Sequence, residues 1–129
     1  MITGAVNASR EAIIKLVVRG PSGAAREFDA VIDTGFNDEL TLPANVIDER
    51  GLPYAAPSSA ALAGGQVVEV GFFRAAIVWD GRPRQTLVIE LAGIPLVGMG
   101  LLDGYRLTLD AISNGRIQIE ALPLETGAA

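Results

Sequence analysis

The segment Val31-Ile32-Asp33-Thr34-Gly35-Phe36 carries a carboxylate directly after an apolar, β-branched run and directly before a tight turn. Asp80 also follows an apolar run, but Asp33 is the only Asp in the chain that is followed by Thr-Gly. A carboxylate in such a place is costly to desolvate unless neighbouring groups donate hydrogen bonds to it. Thr34 offers a hydroxyl, and Gly35 offers an unobstructed backbone N–H. The segment therefore suits an acid that is held beside a reacting water.

A second apolar motif, Leu96-Val97-Gly98, begins 61 residues after Gly35. An apolar strand ending in Asp-Thr-Gly, followed much later by two apolar residues and a glycine, resembles the retropepsin-like aspartic proteases. These are small bacterial and retroviral relatives of pepsin. Asp-Thr-Gly alone is a weak motif, but strand context, spacing and chain length together make the resemblance specific. Without them, Asp33 would be read as a turn residue of an unrelated β-protein.

The length, composition and net charge of the chain limit the folds and partners that it can have. Its 129 residues are enough for one domain with a core, but not for two pepsin lobes. We expect one lobe over residues 1–122 and a flexible tail over 123–129. Half of the residues are hydrophobic and 19% are charged, which is typical of a globular chain. The net charge of −5 and the scarcity of aromatic residues argue against nucleic acid and anionic membranes as partners.

The absence of cysteine and histidine excludes several chemistries. A Ser-His-Asp triad, a Cys-His pair and a thiolate zinc site are all ruled out. A Ser-Lys dyad would have to use Lys15, the only lysine, which lies within an apolar strand pattern. The pairs Asp38-Glu39 and Asp48-Glu49 lack a third ligand and are interpreted as solvated surface charges. We expect no metal and no cofactor, which leaves carboxylates and water for catalysis.

The N-terminus lacks the basic-then-apolar pattern of a signal peptide. The longest uncharged stretch, Gly51 to Val68, contains two prolines and three glycines and cannot form a membrane helix. We therefore expect a soluble, cytoplasmic protein.

Periodicity and turn residues predict an all-β fold with one or two short helices. Arg106–Ile112 is predicted to turn Leu107 and Leu109 inward. A helix is expected between Pro43 and Gly51. The predicted strands are Ala12–Arg19, Arg26–Ile32, Leu40–Leu42, Ser59–Ala63, Gln66–Val70 continuing from Gly71 to Trp79, Arg84–Leu91, Arg106–Ile112 and Arg116–Leu122.

Gly64-Gly65 predicts a two-residue hairpin turn. The resemblance implies that this hairpin is the flap, a mobile β-hairpin that closes over a bound peptide, with Ala63, Gly64 and Gly65 contacting substrate. Glycines permit close backbone approach and a soft hinge. An ordinary surface hairpin would have the same local sequence.

One corner departs from the retroviral pattern. There, an Asp shortly after the Asp-Thr-Gly turn pairs with an Arg that follows the apolar-apolar-Gly motif. The matching positions here are Asn37 and Met99, so both members of the ion pair are missing. We expect this corner to be packed differently.

The resemblance implies a homodimeric aspartic endopeptidase acting on peptides or proteins. Since the chain has one Asp-Thr-Gly, the second catalytic carboxylate would be Asp33 of a second copy. Thr34 would buttress the paired turns, and Gly35 would accept substrate backbone. The segment Leu96-Val97-Gly98 would support the site.

Two other functions stay open at this point. One is a catalytically inactive dimeric module that kept the fold for binding. The other is a monomeric β-barrel binding protein in which Asp33 is only a turn residue. The intact Asp33-Thr34-Gly35 favours the enzyme.

Overall fold

The computed structural model describes residues 1–61 and 64–123, which form ten strands and two short helices. The predicted tail beyond Pro123 and the predicted flap residue Ala63 lie outside the described residues. The elements are β1 (Ile2–Val6), β2 (Ala12–Arg19), β3 (Ala25–Ile32), β4 (Leu40–Leu42), α1 (Ala44–Arg50), β5 (Tyr54–Ala61), β6 (Val67–Trp79), β7 (Arg82–Glu90), β8 (Leu96–Val97), α2 (Met99–Leu102), β9 (Tyr105–Leu109) and β10 (Arg116–Ala121).

All the strands belong to one sheet with the order β5-β6-β7-β4-β8-β3-β2-β1-β10-β9. Strand β6 also pairs with β2, so the sheet folds back on itself and encloses the core. The ladders are antiparallel except for two parallel pairs, β3 with β8 and β4 with β7. The predicted all-β architecture with short helices is confirmed.

The core follows the period-2 alternation expected of strands with one buried face. On β2, Ile14, Leu16 and Val18 are buried, while the residues between them are more exposed. Ile117 and Ile119 on β10 are fully buried. Helix α1 ends at Gly51, whose φ of 62° lies in the left-handed region that terminates helices. None of the helices in residues 1–61 and 64–123 is long and apolar enough to cross a membrane.

The prediction for β9 is wrong at its end. The strand stops at Leu109 instead of Ile112, because the loop closes on itself: the Ile112 N–H donates to the Asp110 carbonyl and the Gly115 N–H donates to the Ile112 carbonyl, both at 2.8 Å. Leu109 does not turn fully inward, and its side chain is 39% exposed. The strand Ile2–Val6, which pairs with both β2 and β10, was not predicted from the sequence.

The predicted two-residue turn at Gly64-Gly65 lies partly outside the described residues, because residues 62 and 63 precede it on the β5 side. The last described pair of the β5–β6 ladder is Ala61 with Val67. The two glycines adopt positive φ values of 97° and 84°, which only glycine reaches easily.

Candidate active site

Asp33 lies where β3 and β8 run side by side. Val31 pairs with Leu96 and Ile32 with Val97 in parallel register. The Asp33 N–H continues the ladder by donating to the Val97 carbonyl at 2.9 Å. The fold thus brings the two sequence motifs together, although they are far apart in the chain.

The turn after Asp33 orients its carboxylate. The Gly35 N–H donates to Asp33 Oδ1 at 2.9 Å, and the Phe36 N–H donates to the Asp33 carbonyl at 3.1 Å. Such a side chain-to-backbone bond two residues on is the Asx-turn that Asp favours. Asp33 is half-buried, whereas Thr34 and Gly35 are exposed. One carboxylate oxygen is therefore fixed by the chain itself, beside two residues that present their surfaces outward.

Three successive N–H groups hold the loop after Asp33 in place. Gly98 donates to the Glu39 carbonyl at 2.9 Å, Met99 to the Phe36 carbonyl at 2.7 Å, and Gly100 to the Asp38 carbonyl at 3.1 Å. Gly98 is buried. A Cβ on Gly98 would lie only 2.1 Å from the Asp38 oxygen, so a side chain cannot be accommodated there without movement of the backbone. The segment Leu96-Val97-Gly98 therefore packs directly behind the turn that carries Asp33.

Asp33 lines a cleft of about 610 Å³. Its other walls are the turn after β1 and the loop after β9, and neither was predicted from the sequence to belong to a site. Ile112 in the second wall is apolar yet exposed, and this exposure is visible only in the structure. The lining residues with apolar side chains are Val6, Ala8, Ala12, Val31, Ile32, Leu96, Leu109, Ala111 and Ile112, and the polar ones besides Asp33 are Asn7, Arg10, Glu11 and Ser113.

Asn7 organises the first wall. Its side-chain oxygen accepts hydrogen bonds from the N–H groups of Ser9 at 3.0 Å and Glu11 at 2.9 Å. Its amide nitrogen donates to Glu11 Oε1 at 2.9 Å. These bonds hold Arg10 at a φ of 63°, which is unusual for a residue with a side chain. The wall beside Asp33 is therefore a turn whose conformation is fixed by the hydrogen bonds of the Asn7 side chain.

Apart from Asp33 and Leu96, the predicted site residues that the structure describes do not line this cleft. Gly64 and Gly65 are exposed at the end of the β5–β6 hairpin and are not among the cleft's lining residues. In the described part of the chain, no group of three or more acidic side chains could hold a metal ion.

Glu39 corrects the interpretation of Asp38-Glu39 as solvated charges. Asp38 is exposed, but Glu39 is half-buried, and its Oε1 accepts a hydrogen bond from the Leu87 N–H at 3.0 Å. Asn37 and Met99, the two positions that depart from the retroviral pattern, are both exposed.

Comparison with solved structures shows which fold the chain has. No family model matches the chain, and no curated protein matches it by sequence. A retropepsin-like aspartic protease from Rickettsia conorii superposes with a TM-score of 0.57 at 17% identity, over 95% of this chain and 92% of that one. EIAV protease, complexed with the inhibitor HBY-793, superposes with a TM-score of 0.54 at 18% identity, over 75% of this chain and 89% of that one. The chain therefore has the retropepsin-like fold that its two motifs predicted.

Proposed function

We propose that the protein is an aspartic endopeptidase that acts as a homodimer, with one Asp33 from each subunit. The observation that carries the proposal is the Asp33 carboxylate: one oxygen is fixed by the Gly35 N–H at 2.9 Å, and the residue borders an open cleft in a retropepsin-like fold. A single chain supplies one such carboxylate. Hydrolysis by paired carboxylates therefore requires a second copy.

In the proposed mechanism the two Asp33 side chains share one proton around a water molecule, as in aspartic proteases. The ionised carboxylate removes a proton from the water, whose oxygen attacks the scissile carbonyl carbon. The protonated carboxyl group donates its proton to the carbonyl oxygen. The tetrahedral species then collapses: the leaving nitrogen takes a proton from the carboxyl group that received it from water as the C–N bond breaks, and the other carboxylate takes a proton from a hydroxyl of the tetrahedral species, which restores the singly protonated pair. No metal or cofactor takes part in these steps.

The exposure of Thr34 and Gly35 supports a contact between the two turns. Thr34 carries a hydroxyl that can donate and accept a hydrogen bond. We assign it the role of buttressing the partner's turn, and we assign Gly35 the role of contacting substrate backbone. The Leu96-Val97-Gly98 segment supports both from behind through the Asp33–Val97 hydrogen bond.

The apolar lining of the cleft supports a peptide as the substrate. Val6, Ala12 and Ile112 offer hydrophobic surface next to Asp33, and such surface binds apolar side chains by excluding water. The β5–β6 hairpin, with Gly64 and Gly65 near its end, is proposed as the flap that covers the bound peptide. A role for Ala63 in the flap stays a prediction, as does the cytoplasmic location.

The test is digestion of a peptide library by the purified protein, with and without a statine-type inhibitor. Asp33→Asn should abolish turnover, because an amide cannot act as the base or share the proton. Asp103→Asn is the matched control, because it changes an exposed Asp before a glycine at another turn. Activity of wild type and control should follow a bell-shaped pH profile on the acidic side of neutral.

Mixing tests whether the dyad is shared. A ninefold excess of Asp33→Asn protein should reduce wild-type activity to about one tenth, because most wild-type subunits would then pair with an inactive one. Dilution through the dimer dissociation constant should also remove activity. Full activity of the diluted wild type or of Asp33→Asn would contradict the mechanism. A stable dimer that cleaves no peptide would indicate an inactive binding module, and a monomer would indicate a β-barrel binding protein.

A further inference from the structure

Glu39 completes a hydrogen-bond ladder with its side chain. Strands β4 and β7 are parallel, and their pairing begins with Leu40 opposite Val88. The Leu87 N–H lies one residue before the start of that ladder and donates to Glu39 Oε1 at 3.0 Å. The Glu39 backbone carbonyl accepts the Gly98 N–H at 2.9 Å. Glu39 therefore ties the loop that follows Asp33 to β7 on one side and to the Gly98 segment on the other.

Arg84 on β7 contacts both Glu39 and the end of α2. Its guanidinium donates to the Leu101 and Gly100 carbonyls, each at 3.2 Å, and lies 3.4 Å from Glu39 Oε2. Carbonyls in the last turn of a helix lack intrahelical partners, and α2 has only four residues. The planar guanidinium can satisfy several acceptors at once, which a lysine ammonium does less well. Arg84 thus joins β7, α2 and the loop after Asp33.

The pair lies in a setting that favours a fixed geometry. The Glu39 and Arg84 side chains are only 27% and 30% exposed, unlike the surface pair Arg106–Glu120 at 58% and 49%. The Arg84 guanidinium also lies 5.8 Å from the centroid of the buried Trp79 ring. Partial burial reduces screening by solvent and salt.

We propose that Glu39 and Arg84 are positioning residues for Asp33. The inference rests on the proposed function and assigns a new role within that site. The pair joins β7 to the 36–39 loop and to the 98–102 segment. The packing of these three segments against one another determines the position of Asp33. The Glu39–Arg84 ion pair thereby supports the part of the fold in which Asn37 and Met99 cannot form an ion pair.

The experiment compares Arg84→Gln, Arg84→Lys and Glu39→Gln with wild type on one cleaved peptide. Misplacement of a catalytic group by even a small distance is costly, so kcat of Arg84→Gln should fall roughly tenfold to a hundredfold, while KM changes less than about threefold. Arg84→Lys should recover part of kcat, because lysine keeps the positive charge but lacks the planar guanidinium that donates to several acceptors at once. Arg106→Gln, which removes only the exposed pair, should match wild type.

Two further readouts separate positioning from general destabilisation. Trp79 is the only tryptophan, so its fluorescence reports both the loss of Arg84 from its ring and the folded fraction of each variant. Amide exchange at Gly98 and Met99 should accelerate in the variants, since these N–H groups bond to the loop that the pair holds. If Arg84→Gln or Glu39→Gln does not fold, Arg84→Lys takes its place in the comparison.

Unchanged kcat in folded Arg84→Gln and Glu39→Gln, with wild type active, would overturn the positioning role and leave the proposed function intact. Wild type that cleaves no peptide would overturn the proposed function, and this role with it. A fall in kcat that equals the fall in the folded fraction would also overturn the positioning role, because it would show a loss of stability only.

Discussion

The Asp33 corner and the β5–β6 hairpin both depend on glycine, but for different physical reasons. Gly98 has a φ of −99°, which any residue can adopt, yet its Cβ would lie 2.1 Å from a backbone oxygen. Gly64 and Gly65 have nothing within 4 Å of an added Cβ, but their φ values are 97° and 84°. The corner therefore excludes side chains by contact, while the hairpin excludes them by backbone conformation. We therefore expect the closely packed corner to move less than the open turn.

The largest effect that would test this difference is expected at Gly98. Gly98→Ala forces the Cβ against the Asp38 and Phe36 carbonyl oxygens, and backbone cannot move aside as a flexible side chain can. We expect the free energy of unfolding to fall by at least about 3 kcal/mol. Gly64→Ala is the matched variant, with space for its methyl group and a cost of only about 1 to 2 kcal/mol from the left-handed φ. Urea denaturation followed by Trp79 fluorescence measures both, and equal losses would remove the distinction.

The corner was largely predictable from sequence because its parts are local patterns. An apolar strand followed by Asp33-Thr34-Gly35, and the later Leu96-Val97-Gly98, are each readable within six residues. The resemblance supplied the expectation that they belong to one fold. Their parallel pairing and the hydrogen bond from Asp33 to Val97 then follow from that fold.

The interactions that sequence could not predict join residues distant in the chain. Glu39 and Arg84 are 45 residues apart, and an acid beside another acid is ordinarily a solvated charge. Only the parallel register of β4 and β7 brings the Leu87 N–H to Glu39. Similarly, Leu109 fits the inward pattern of its strand, but the cleft with Asp33 opens beside it.

A second prediction sharpens the comparison by measuring motion. Amides of Gly98 and Met99, which are bonded to the Glu39 and Phe36 carbonyls, should exchange slowly in the free protein. Amides from Gly64 to Val67 should exchange fast, and should become protected by more than about tenfold when an inhibitor binds, as expected of a flap that closes over its ligand. Hydrogen–deuterium exchange resolves the two segments. Equal exchange at the hairpin with and without inhibitor would contradict the flap assignment and leave the corner unaffected.

The smallest effect is expected on the exposed face of the strand that leads to Asp33. Lys15 on β2 lies opposite Asp29 on β3, and the hydrogen bond from the Lys15 ammonium to Asp29, with the attraction between their charges, raises the pKa of Lys15 above its ordinary value of 10.5. A base whose pKa is higher in the folded state stabilises the fold fully below the unfolded pKa, and this contribution is lost as pH rises through the folded value. Both side chains are at least half exposed, so the contribution should be small and should weaken with salt.

Lys15→Gln should thus lower the urea midpoint slightly at pH 8, and the difference from wild type should vanish above the raised pKa. A difference that persists there, or that salt leaves unchanged, would show that Lys15 acts through packing of its stem and not through its charge.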